Sequence, residues 1–151
     1  MFLDKDVPLN QIVLPVLPEI GLLILLLVVL SLDLFVPPHR RRNVGVFAGV
    51  GMLIIMLATV FTGLATVNSD PAFALPVLGG MLRYDMLAVM FRTMILLAGG
   101  LTCLIALDVP HVGKQGEFHA IVIVATMGMC LMSAAADLIM VFLALETTSI
   151  S

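Results

Sequence analysis

The sequence predicts an all-α, polytopic membrane helix bundle, with four complete transmembrane helices and the start of a fifth. Three observations predict it. Of 151 residues, 62% are hydrophobic and only 11% are charged, whereas a soluble domain is nearer half apolar and a quarter charged. The apolar residues fall into runs long enough to span a bilayer. The charges sit mostly between those runs, so the net charge of −3 reflects loops rather than a charged surface.

The first apolar run extends from about Ile12 to Val36. It is too long for a signal-peptide core, the opening MFLDKD is not basic, and no small-residue cleavage site follows. A retained helix is expected. Pro15 and Pro18 are expected near its start, where proline is best tolerated, and Pro37-Pro38 close it. The second run, about Val44 to Val67, holds Gly45-x-x-x-Gly49, a spacing that lets helices approach closely. The segment Asn68 to Asp85 carries Pro71, Pro76, Gly79 and Gly80. It reads as an ordered loop with room for a short hairpin. The third span is about Met86 to Leu107, followed by the polar connection DVPHVGKQGE. The fourth is about Phe118 to Ala136, with Ala125, Gly128, Ser133 and the run Ala134 to Ala136 as small packing residues. Asp137 marks a tight turn with helix capping, and the fifth run begins near Leu138.

Orientation follows from Lys and Arg in the short loops. With four complete spans, Arg40, Arg41, Arg42 and Lys114 share one side, while Lys5 and Arg83 share the other. The side of Arg40 is expected to be cytoplasmic, or stromal in a photosynthetic membrane, with the N-terminus outward. The basic cluster His39 to Arg42 thus reads as a topology signal rather than a nucleic-acid patch. From Leu138 to Ser151 a helix rises only about 21 Å, against a hydrocarbon core of about 30 Å. More chain, or a second polypeptide, is expected to complete that helix.

Glu146 lies about nine residues into the last run. A carboxyl at mid-depth in a membrane is costly and marks a functional candidate. Thr147 and Ser149 flank it on the helical wheel. Two readings stand: a protonatable site in a charge relay, which is preferred, and a neutral glutamic acid in an interhelical hydrogen bond. Arg92, about six residues into the third span, either snorkels to the outer interface or pairs with a carboxylate on another helix. Glu19 and Asp33, near opposite ends of the first span, are expected to reach the interfaces. His111 and His119 flank Lys114, where histidines that titrate near neutral pH could feed a proton entrance. Plain interfacial histidines are the preferred alternative.

Cys103 and Cys130 lie inside apolar runs and are expected to be small buried hydrophobes. Eleven Met with no Trp suit flexible interhelical packing. No pattern for haem, flavin, iron–sulfur or zinc binding is found in the sequence. Any redox chemistry is assigned to another chain.

The stretch GEFHAIVIVATMGMCLMSAAADLIMVFLALETTSIS, Gly116 to Ser151, resembles the start of the conserved core of the antiporter-like subunits of complex I. It looks most like subunit N of NADH-quinone oxidoreductase, called subunit 2 in mitochondria and plastids. GEF opening a helix, a small-residue tail ending at an acidic turn, and LETTSIS placing a glutamate in the next helix carry the resemblance. LPEIGLLILL in the first span fits the same subunit. LETTSIS is the specific part; the first three helices alone are weak.

The resemblance implies the N-terminal part of an antiporter-like fold. Residues 1–115 would be a three-helix membrane segment, and 116–151 the truncated start of the proton-translocating core. It implies that Glu146 is the fifth-helix carboxylate of a proton pathway, partnered by a lysine on a later helix. Arg92, His111, Lys114 and His119 are possible accessory residues. No cofactor is expected in this chain. NAD, FMN, iron–sulfur clusters and quinone are expected in partner subunits, beside other membrane subunits and the rest of this one. The location implied is a bacterial plasma membrane, or a thylakoid or mitochondrial inner membrane. Two alternatives remain at this point: a subunit of a multisubunit sodium/proton antiporter, and a non-transporting membrane scaffold.

Overall fold

The computed structural model describes residues 9–35, 41–69, 74–77, 80–109 and 116–151. Lys5, His39, Arg40, Pro71, His111 and Lys114 lie outside the described residues. The elements run α1 (Leu9–Phe35), α2 (Arg41–Ser69), β1 (Ala74–Val77), β2 (Leu82–Asp85), α3 (Met86–Ala106), α4 (Gly116–Ala134) and α5 (Leu138–Ile150). Within the first four helices, Val16–Phe35, Asn43–Thr66, Met86–Ala106 and Gly116–Ala134 are each long and apolar enough to cross a membrane. This is a multi-pass membrane helix bundle.

The helices form because backbone polar groups have no water partner in hydrocarbon and must bond within the segment. Hydroxyls follow the same rule. Those of Thr59, Thr126 and Thr148 donate to the carbonyls of Ile55, Val122 and Ala144, one turn back. α1 starts at Leu9, earlier than expected, so Pro15 and Pro18 fall inside the helix rather than at its first turn. Each removes one intrahelical donor, a loss that membrane helices tolerate when neighbouring groups re-satisfy the freed carbonyls.

The four long helices close into a ring. α1 packs on α2 and α4, and α3 packs on α2 and α4, while α2 and α4 also touch, so α1 and α3 stand at opposite corners of the ring. α5 packs chiefly on α4, outside the ring. The interior is filled by Leu22, Leu25 and Val29 from α1, with Val44, Ala48 and Met52 from α2. Leu96 and Cys103 of α3 and Ile123 and Cys130 of α4 complete it. The two cysteines are buried, free core residues. Leu27, Leu57, Phe61 and Met94 point outward, more than half exposed. A face this apolar is suited to lipid or a partner subunit and not to water.

Close approach of backbones is built in at glycines. A Cβ at Gly49 would meet the side chain of Leu104 and the Gly100 carbonyl, and one at Gly45 would meet His119 and Leu107. The Gly45–Gly49 pair thus serves the packing role its spacing suggested.

The hairpin joins α2 to α3. β1 and β2 pair antiparallel, Ala74 opposite Asp85 and Val77 opposite Leu82. Gly80 in the turn has φ 91°, a backbone conformation that L side chains rarely adopt. The hairpin also grips the connection between α4 and α5. Leu82 forms a bridge with Ala135, and the Ala136 N–H donates to the Met81 carbonyl at 2.9 Å. Asp85 ends the strand and caps α3, its carboxylate accepting from the Ala88 N–H at 2.8 Å.

Candidate functional site

α5 fixes where Glu146 points. Ala144 is fully buried, and Thr148 one turn later faces Gly128 of α4. Small residues on both helices let the backbones approach. At 100° per residue, Glu146 lies about 200° from Ala144. The carboxyl is therefore exposed, on the side of α5 turned away from α4 and the ring. The Thr147 hydroxyl donates to the Leu143 carbonyl at 2.8 Å, and Ser149 is exposed. Among the described residues Glu146 makes no ion pair. Asp137 does occupy the N-cap of α5, but without the side-chain capping bond expected of it. Its carbonyl instead accepts from the Val141 N–H at 3.1 Å.

Arg92 takes the second of its two expected roles. Its Nη2 lies 2.6 Å from Oε1 of Glu19, with both side chains buried. The pair crosses the ring from α3 to α1. The guanidinium also sits over the ring of Tyr84, 5.9 Å from its centroid, a cation–π contact. Glu19 thus does not reach the interface as expected, because the ring interior supplies the opposite charge that makes its burial tolerable. Around this pair, Tyr84 packs with Leu82, Ala88, Val89 and Ala134, and with the partly buried Val16, Leu131 and Met140. Five elements meet there: α1, β2, α3, α4 and α5.

A second polar group sits at the opposite end of the bundle. Asp33, near the end of α1, is half-buried, and its carboxyl lies where a Cβ on Gly116 would be. Gly116 opens α4, whose free N–H groups and positive dipole end favour a carboxylate. Asp33 thus stands against the first residue of α4. His119, three residues later, is fully buried. Its ring lies against Gly45 of α2 and meets Phe118 edge-on, 5.5 Å between centroids.

The structure separates the sequence candidates into three places. Glu146 is outside the ring on α5, Arg92 is inside it with Glu19, and His119 is buried at the far end. Sequence reasoning treated Glu19 and Arg92 separately. One signal could have joined them. α1 and α3 run in the same direction, and the two residues lie at similar depths, three residues after Val16 and six after Met86, where the spans begin.

No family model matches the chain. Individual relatives do. NADH-quinone oxidoreductase subunit N of Desulforamulus reducens is 35% identical over 135 residues, 88% of this chain and 27% of that protein. NADH-quinone oxidoreductase subunit N 2 of Roseiflexus castenholzii is 38% identical over 125 residues, 82% of this chain and 24% of that protein. Subunit N of a Geobacillus species is 35% identical over 138 residues, 89% of this chain and 27% of that protein. The chain spans about a quarter of the length of the curated relatives it matches.

Proposed function

Because the chain belongs to the family of NADH-quinone oxidoreductase N subunits, we propose that it serves proton translocation in such a complex, with Glu146 as its protonatable group. The placement of Glu146 carries the reading. A carboxyl on a membrane helix needs a partner, water or a proton. Among the described residues the ring offers it no cation, because the buried arginine is held by Glu19. The face that bears Glu146 is turned toward whatever packs on the far side of α5.

In this proposal a cation on that far side sets the proton balance of Glu146. With the cation close, the carboxylate is favoured and the proton leaves. With the cation withdrawn, low dielectric favours the neutral acid and a proton is taken up. Each cycle moves one proton on and off one oxygen, with no redox change in this chain. NAD, FMN, iron–sulfur clusters and quinone belong to partner subunits. The membrane proposed is a bacterial plasma membrane, with the Arg41 end of α2 on the cytoplasmic side.

The test is Glu146→Gln in the assembled complex, reconstituted into vesicles. Loss of most proton translocation with assembly retained is the expected result. Translocation at the wild-type rate would make Glu146 a structural hydrogen-bonding residue and defeat the proposal.

A further inference from the structure

We infer that the Glu19–Arg92 pair is a fixed anchor: it seats the β-hairpin on the α4–α5 turn and so positions the helix that carries Glu146, without itself passing a proton. Only the last step, from α5 to Glu146, rests on the function proposed above.

The anchor follows a continuous path. Glu19 on α1 holds Arg92 on α3 at 2.6 Å. The guanidinium covers Tyr84 at the end of the hairpin. Two and three residues earlier, Leu82 bridges Ala135 and the Met81 carbonyl accepts from Ala136. Asp137 then starts α5, and Met140 packs back into the cluster around Tyr84. Glu146 is less than two turns further on. α5 has α4 as its main helix neighbour, so the hairpin's grip on the connection just before it is a second point that fixes its placement.

The chemistry of the pair argues against a relay. Arginine does not give up its proton in proteins. Protonating Glu19 would strand a buried guanidinium without its counter-charge, which is strongly unfavourable. Replacing both partners by apolar side chains of similar length removes both desolvation costs together and is often tolerated.

The test compares Glu19→Gln, Arg92→Gln and the double variant Glu19→Met/Arg92→Met, each in the whole subunit within the assembled complex. Two quantities are read: amide hydrogen exchange in the α4–α5 turn around Ala136, and protons moved per quinone reduced. Each single variant is expected to speed exchange at the turn about tenfold or more. The double variant leaves no charge unpaired, and a methionine at position 92 still packs its thioether on Tyr84, so it is expected to restore slow exchange and the wild-type proton ratio. Single variants that leave exchange unchanged would overturn the anchor. A double variant no better protected than the singles would overturn the pairing as its basis. A double variant with a protected turn but a lowered proton ratio would show that the pair handles protons. None of these readouts depends on the Glu146→Gln result, so failure of the anchor and failure of the proton reading are distinguishable.

Discussion

Gly128 of α4 and Thr148 of α5 are fitted to each other. A Cβ placed on Gly128 would stand 2.5 Å from the Thr148 Oγ1 and 3.0 Å from the backbone of α5. That contact sets the distance between the helix that completes the ring and the helix outside it. Gly128→Val is therefore expected to push α5 outward, at a cost of about 1–3 kcal/mol or more for overpacking against backbone. Cross-linking between cysteines placed on the two helices would measure the separation. Unchanged cross-linking efficiency in the Val variant would contradict the contact.

Capping at Asp85 gives a milder change. Its carboxylate bonds the Ala88 N–H and also faces Arg83 at 3.3 Å. The ion pair is largely exposed and contributes little. The cap dominates, so Asp85→Ala is expected to destabilise the start of α3 by about 1 kcal/mol. Asp85→Asn keeps the acceptor and is expected to recover most of that. Thermal unfolding in detergent distinguishes the two. Equal loss in both variants would mean the charge, and not the cap, matters.

Much of the fold was legible because hydrocarbon permits so few solutions. Runs of about 20 apolar residues become helices, and the break at Pro76 to Gly80 becomes a hairpin, since those residues suit turns and not helix interiors. Gly45 and Gly49 were readable as contacts because small residues have one common use between membrane helices. The start of α1 was misjudged because polar residues such as Asn10 and Gln11 mask a helix outside the apolar run. Glu19 was misjudged for a deeper reason. Whether an intramembrane charge reaches water depends on which helices adjoin it, and spacing along one helix does not contain that information. Glu146 was located correctly on its helix, but the face it occupies became visible only through Ala144 and Thr148.

The close seating of α2 on His119 predicts a third effect. Gly45→Leu places bulk where the His119 ring and Leu107 now lie. Separation of α2 from the first turn of α4 is expected, with about 1–3 kcal/mol of destabilisation. A companion substitution, His119→Ala, opens space at that contact and is expected to recover part of it. Additive losses in the double variant, measured by thermal unfolding, would show that the two positions are not in contact.

Glu146→Asp isolates reach from charge. Glu146→Gln keeps volume but cannot bind and release a proton, so both proton uptake and attraction to a cation are lost together. Aspartate keeps both properties and withdraws the carboxyl by one methylene, about 1.5 Å. If the group on the far side of α5 is a cation, their attraction weakens as their separation grows, and steeply so in low dielectric. The carboxylate then loses stabilisation and the balance shifts toward the neutral acid. Proton release is expected to slow, so translocation should fall to an intermediate level, between wild type and Glu146→Gln. Raising external pH favours release and is expected to restore part of the rate in the Asp variant but not in the Gln variant. The measurement is translocation in proteoliposomes across a pH series, normalised to quinone reduction. An Asp variant as inactive as Gln at every pH would mean that position 146 requires the shape of glutamate rather than its charge, and the relay reading would fall.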